Sequence, residues 1–175
     1  METTDGDAAA LLSELIAIDS SNPDLVPGAA GESAIADFVS AWLARRGFTV
    51  HRLESTPGRP SIVAVTTGAG CGLMLNRYLD TVTLAGFDGD PLEPVIRDGS
   101  MHCRGSFGMK SGLAAMMVAA AEAGIPCLLF GVDGGGAHAA TEWVTLESLE
   151  TVTRVLHGVI IDYCGTSSLG ITEAA

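Results

Sequence analysis

The sequence predicts an α/β domain, a mixed sheet flanked by helices, and three observations carry that reading. Of its 175 residues 47% are hydrophobic, enough for one buried core and too many for a disordered chain. Apolar residues recur at helical spacing near residues 7–18, 35–43 and 145–163. Between these segments the pattern shortens to alternation or to brief continuous apolar runs, the mark of strands.

Taken in order, Asp7 to Ile18 places Leu11, Leu12, Leu15 and Ile16 on one helical stripe. It stops at the turn-forming run Asp19-Ser20-Ser21-Asn22-Pro23. After a loop to Gly31, a second helix carries Ile35, Phe38, Val39, Trp42 and Leu43. Arg45 and Arg46 complement its C-terminal dipole, and Gly47 stands where a left-handed terminating glycine belongs. Strands are predicted over 48–53, 61–67 and 72–76, the last apolar enough to be buried on both faces. Pro94 to Cys103 alternates around Asp98-Gly99, a hairpin signal. A small-residue helix over Met109 to Ala123 ends at Gly124 and Pro126. A buried strand at 127–130, a glycine loop at Gly134-Gly135-Gly136 and a last amphipathic helix over Thr145 to Tyr163 complete the layout. Residues 1–165 read as a single domain and 166–175 as a flexible tail.

Charge narrows the function. Nine basic and 21 acidic residues give a net charge of −12, and Lys110 is the only lysine. Nucleic-acid binding requires clustered cations that displace counterions, so neither a nucleic acid nor an anionic membrane surface is an expected partner. A basic protein partner remains compatible with this field. No run of 18 apolar residues exists, and the opening residues Met1 to Asp5 are acidic, so the expectation is a cytoplasmic protein without anchor or signal peptide. Cys71, Cys103, Cys127 and Cys164 form no CxxC pair and read as free thiols.

Ligands of open α/β sheets bind beyond the carboxyl ends of strands, and three loops hold that position here. They are Asn76 to Val82, Cys103 to Lys110 and Gly131 to His138. Ser106 in the second loop, and Gly134, Gly135 and Gly136 in the third, precede predicted helix starts, and Lys110 stands in the first turn of the 109–123 helix, where a structural role is the alternative to anion binding. At those starts, backbone N–H groups suit a carboxylate, sulfate or phosphate. The alternative is that these glycines only make tight turns. Asp133 lies beside the glycine loop, where a carboxylate is costly unless used or solvated. Cys103 follows His102 on a strand, so the two point to opposite faces and a Cys–His nucleophile pair is disfavoured.

Four ordered motifs carry a resemblance. Leu75-Asn76 with Leu79-Asp80-Thr81-Val82 matches L-N-G-H-L-D-T-V, and Asp90-Pro91-Leu92-Glu93-Pro94 matches D-P-F-E-P. Arg104-Gly105 with Met109-Lys110 matches G-R-G-A-x-D-M-K-G-G, and Gly134-Gly135-Gly136-Ala137-His138 with Glu142-Trp143 matches the closing G-G-A-H-x-x-D-E-W. The sequence resembles the M20 family of metallopeptidases and deacylases, the acetylornithine/acetyl-lysine deacetylase and succinyl-diaminopimelate desuccinylase group. The resemblance implies its catalytic-domain fold.

The departures set the functional expectation. The family holds two zinc ions through a histidine, a bridging aspartate, two further carboxylates and a late histidine. Tyr78 stands at the first histidine, Gly108 at the bridging aspartate, and the paired-glutamate motif has no counterpart. His138 remains, and Ala123 to Pro126 runs directly to the last strand without the lid and dimerisation domain. One imidazole cannot hold a catalytic zinc, and without zinc nothing lowers the pKa of water from about 16 toward 7. The expectation is therefore no metal and no cofactor. Small M20-like proteins of actinobacterial natural-product pathways, including azinomycin-type aziridine-forming ones, are similar to this chain.

Three readings follow. The first is a metal-free enzyme on an amino-acid-derived molecule, free or on an amino-group carrier protein. It closes a nitrogen ring by displacing an anionic leaving group, with Asp80 or Asp133 as base and Tyr78 and His138 in the pocket. The second is a non-catalytic subunit of a hetero-complex with a related chain, or a homo-oligomer, since loss of the lid uncovers apolar surface. The third is a residual hydrolase with metal on His138, Asp80, Asp133 or Glu142.

Overall fold

A computed structural model describes residues 7–66, 75–123, 134–135 and 140–164. Helix α1 spans Asp7–Ile16 and α2 Ser33–Ala44, followed by strands β1 (Thr49–Thr56) and β2 (Arg59–Val65). Strands β3 (Val95–Arg97) and β4 (Ser100–His102) lead into α3 (Met109–Ala123). Short strands β5 (Gly134–Gly135) and β6 (Trp143–Thr145) then precede α4 (Leu146–Cys164).

The helices form where apolar spacing asked for them. Leu12, Leu15 and Ile16 of α1, Leu113 and Met117 of α3, and Leu149, Leu156 and Ile160 of α4 are buried in one cluster. Each such side chain contributes about 1.5–3 kcal/mol relative to exposure. Ala114, Ala115 and Ala119 are fully buried on α3, and their small side chains let that helix approach both α1 and α4. Helix α2 ends as its sequence demanded. Gly47 adopts φ 85°, its N–H donates to Ala44 O at 3.1 Å, and the Phe48 N–H donates to Leu43 O at 3.2 Å. This reciprocal pair satisfies the last carbonyls of the helix. Arg46 stacks its guanidinium 3.5 Å from the Trp42 ring centre, a contact the dipole argument did not anticipate.

Among the described residues the strand ladders are antiparallel. One pair is β1–β2, and a second sheet has the order β3-β4-β6-β5. A single parallel bridge joins Ser21 to Thr81. The β3–β4 hairpin turns at Asp98 (φ 51°) and Gly99 (φ 69°), both left-handed, as a two-residue Asp-Gly connection requires.

Three expectations need correction. Regular helix α1 stops at Ile16, because the last turn tightens, with the Ile18 N–H reaching Leu15 O at 3.4 Å. Gly134 and Gly135 are not a loop before a helix but strand β5, paired with Val144 and Trp143. The last helix, predicted from Thr145, begins at Leu146, and Trp143–Thr145 forms β6 ahead of it. Val144 is fully buried between β4 and β5, and three residues are too few to show a period. The strands predicted at 72–76 and 127–130 lie wholly or largely outside the described residues, as does the tail 166–175; Leu75 and Asn76 are described and are not strand.

Candidate functional site

The segment carrying Asp80 is fixed by its neighbour in space. The Thr81 N–H donates to Ser20 O and the Asn22 N–H to Thr81 O, each at 2.9 Å. That pairing sets Asn22 beside Asp80, and Asn22 Nδ2 donates to Asp80 Oδ2 at 2.6 Å.

The turn after β4 supplies the facing wall. The Cys103 N–H donates to Glu142 O at 3.0 Å, which joins this turn to the chain entering β6. Gly105 has φ 85°, and a Cβ there would lie 3.3 Å from Lys110 Cδ and 3.4 Å from Thr81 Cγ2. Only glycine lets the turn close this tightly. Its closure buries Arg104 and Glu142 together, their side chains 2% and 1% exposed, with Nη1 and Oε2 at 3.2 Å. The second carboxylate oxygen, Oε1, accepts the Gly108 N–H at 3.0 Å. A buried ion pair holds only if its remaining valences are met, and here both oxygens of Glu142 are engaged.

These pieces enclose a cleft of about 150 Å³ lined by Tyr78, Asp80, Thr81, Arg104, Gly108 and Glu142, with Leu25 and Met109 at its sides. A second cleft of about 150 Å³ lies beyond, bordered by Phe87, Asp88, Asp90, Glu93 and His102. Glu142 lines both, so the Arg104–Glu142 pair forms part of the partition between them.

Of the residues singled out from sequence, Tyr78 and Asp80 meet in the first cleft. Tyr78 is 62% exposed, and the side-chain partner of Asp80 is Asn22, not Tyr78. Ser106 and Lys110 do not line the cleft. Ser106 is fully buried with an unpartnered hydroxyl, and Lys110 Nζ donates to Ile18 O at 2.7 Å, tying the end of α1 to the start of α3. Burial lowers the Lys110 pKa to about 8, with Asp19, Cys103 and Glu142 pulling the other way. Gly134 and Gly135 sit in strand β5. Asp133, Gly136 and His138 lie outside the described residues.

Cys103 is fully buried, its Sγ 2.9 Å from Pro91 O, and burial pushes its thiol up to about 11. His102 contacts Arg97 instead, at 3.2 Å, so the two neighbours do face different surroundings. Sequence reasoning passed over Arg104, Thr81 and Asn22 as site residues. The one available signal was that Arg104 and Glu142 are opposite charges within separate motifs, in a chain with few basic residues.

With this geometry established, similarity to known proteins can be placed on it. No protein-family profile matches the chain. It is 36% identical over 120 residues to a succinyl-diaminopimelate desuccinylase of Leptothrix cholodnii, covering 64% of this chain and 30% of that protein. A succinyl-diaminopimelate desuccinylase of Rhizorhabdus wittichii is 30% identical over 141 residues, covering 73% and 37%. The fold matches an M20 family metallo-carboxypeptidase of Sulfolobus solfataricus with TM-score 0.57 and 18% identity, over 70% of this chain and 27% of that one. The chain is related to the M20 peptidases and deacylases. It spans about a third of the length of these desuccinylase relatives.

The fold is shared with an M20 family metallo-carboxypeptidase, so the cleft can be tested for metal ligands. Among the described residues no three His, Cys, Asp or Glu side chains converge to hold an ion. Gly108 offers no side chain, Tyr78 projects into solvent, and Glu142 spends both oxygens on Arg104 and Gly108. The described donor set therefore does not fit a two-metal centre. No described helix is long and apolar enough to cross a membrane.

Proposed function

We propose that this chain is a metal-independent M20-like unit that binds an amino-acid-derived molecule between Asp80 and Glu142 and transforms it without hydrolysis. One observation carries the reading. The carboxylate of Glu142 is neutralised by Arg104 and by the N–H of Gly108, the residue that stands at the resemblance's bridging aspartate. Glu142 thus has its charge met within the protein and both of its oxygens occupied.

The reaction proposed is intramolecular displacement. An amine nitrogen of the substrate attacks a carbon bearing an anionic leaving group. The C–N bond forms, the C–O bond breaks with its electron pair leaving on oxygen, and the amine proton passes to Asp80. Asn22 holds Oδ2 of Asp80 and so orients the carboxylate. Holding the reacting atoms in line supplies about 7–11 kcal/mol of barrier reduction. A positioned base adds about 10²–10⁴-fold.

The test uses the full chain with sulfated or phosphorylated amino-acid derivatives, read by mass spectrometry, alongside zinc titration and an assay for succinate release from an N-succinyl amino acid. Expected are a cyclised product and no zinc-dependent hydrolysis. Stoichiometric zinc with chelator-sensitive succinate release overturns the reading.

A second reading, a subunit that works with a related chain, is favoured by the outer face of the β1–β2 hairpin. Leu53, Val63 and Val65 are exposed there, as are Val95 and Ile96 on β3. Co-expression with a candidate partner followed by size-exclusion chromatography tests it. A stable hetero-complex supports this reading, and a monodisperse lone monomer that turns over substrate removes it.

A further inference from the structure

We infer that the Asp80–Glu142 cleft takes its ligand by a primary ammonium group held on Asp80 Oδ1, with a compact apolar group of the same ligand packed between Leu25 and Tyr78. The inference rests on the proposed reading of this cleft as a substrate site, and it names the class of molecule recognised there, a small amine carrying an apolar side chain.

Charge gives the first half of the argument. Two carboxylates line the cleft, and they differ. Glu142 is spent, with Oε2 on Arg104 Nη1 and Oε1 on the Gly108 N–H. Asp80 is engaged on one side only. Its Oδ2 takes Asn22 Nδ2 at 2.6 Å, a neutral donor that fixes the carboxylate without cancelling its charge. Oδ1 accepts no hydrogen bond among the described residues. Asp80 is half-buried, and Oδ1 is not one of the side-chain atoms sealed from water, so it stays reachable from the cleft. No described cation pairs with Asp80. Arg104 is on Glu142, Lys110 on Ile18 O, and Arg59 on Asp24 and Glu32, from where it acts on Asp80 only at longer range. A fixed carboxylate with an open oxygen, in a chain of net charge −12, selects a cationic donor and repels an anion.

Apolar surface gives the second half. Leu25 and Tyr78 line the same cleft and are each 62% exposed, the two most exposed large apolar side chains among the described residues. One exposed leucine is ordinary, but a pair beside a carboxylate in one concavity is the pattern of a small-molecule site, apolar walls with a few placed polar groups. The Tyr78 ring also attracts an ammonium through its face. Leu25 is held in place by the residue that orients Asp80. The N–H groups of Leu25 and Val26 donate to Asn22 O at 3.1 and 2.9 Å, and the Asp24 N–H donates to Asn22 Oδ1 at 2.8 Å. Asn22 thus sets the spacing between the charged and the apolar half of the site. At about 150 Å³ the cleft has room for a group of roughly benzene size.

The experiment titrates the isotope-labelled full chain by NMR, at neutral pH and constant ionic strength, with three probes. These are isopentylamine, methylamine, and isovalerate, which carries a similar branched chain on a carboxylate. Isopentylamine is expected to saturate, methylamine to bind about tenfold more weakly, and isovalerate not to saturate. Asp80→Asn, which keeps an acceptor for Asn22 but no charge, is expected to weaken isopentylamine by about tenfold. Leu25→Ala is expected to weaken it by about fivefold, to leave methylamine unchanged, and to melt with the parent, since the side chain it removes is exposed. Failure of isopentylamine to saturate, isovalerate binding as tightly as the amine, or undiminished affinity in either variant overturns the inference. Failure of the proposed reaction reads differently. Saturable amine binding without any cyclised product overturns the chemistry and leaves this site, whereas a cyclised product from a chain that does not saturate with amine overturns the site alone.

Discussion

Replacing Gly108 by aspartate returns a carboxylate to the motif position of the bridging ligand, and the structure sets what that costs. A Cβ at Gly108 would lie 3.3 Å from Glu142 Oε1, tight but against the movable end of a side chain. The backbone there is not left-handed, so the cost is not one of strain. A second carboxylate roughly 4 Å from Glu142 meets a repulsion of about 4 kcal/mol at an effective dielectric of 20, part of it relieved by Arg104. Gly108→Asn has the same shape without the charge and isolates this effect. Gly108→Asp is therefore expected to be less stable than Gly108→Asn by about 2–4 kcal/mol at pH 7. The sign with pH follows from a carboxyl whose folded pKa is raised. The penalty is full above that raised value and fades as pH falls toward the ordinary value of about 3.9. Urea unfolding followed by circular dichroism at pH 7 and pH 5 reads the difference, which is expected to narrow at pH 5. Equal stability of the two variants at pH 7 would refute the placement of Glu142 against Gly108. Selective stabilisation of Gly108→Asp by zinc would refute the metal-free account, because it requires a ligand set waiting for one more carboxylate.

Three further outcomes are expected. Arg104→Met or Glu142→Gln should each destabilise by about 3–5 kcal/mol in chemical unfolding, because each strands a buried partner; the double change should cost less than the sum, and strict additivity would deny the pair. In alkaline solution the folded chain releases the Lys110 proton near pH 8, whereas the unfolded chain holds it to 10.5, so stability should rise with pH across that window, by at most about 3 kcal/mol. Cys103 acts oppositely, keeping its proton to about 11 when folded against 9.0 unfolded, so the rise should stall above pH 9 and continue only in Cys103→Ala, as urea midpoints across pH 7.5–10.5 would show. Gly99→Ala should lose about 1 kcal/mol or more, since φ 69° is left-handed, and an unchanged melting temperature would contradict the hairpin turn.

Much of the fold was legible because it is governed by neighbours in sequence. The 109–123 helix, the Gly47 terminus and the Asp98-Gly99 turn are each set by residues within a few positions of one another. Tyr78 and Gly108, read as motif departures, both line one cleft in the structure. What no local pattern could supply is which buried groups meet. Lys110 reads from sequence as a motif cation with a structural or an anion-binding role, and nothing local shows that it reaches across 92 positions to bond Ile18 O. Ser106 reads as a ligand donor and is packed away.

By itself, then, the amino-acid order determined the helices and the Asp98-Gly99 hairpin, since period and residue type decide those. Tertiary structure alone decided that Arg104 and Glu142, 38 positions apart, neutralise one another in the wall of the cleft. The reason is physical: a charge can be buried only where a partner arrives to meet it, and packing of the whole chain chooses that partner.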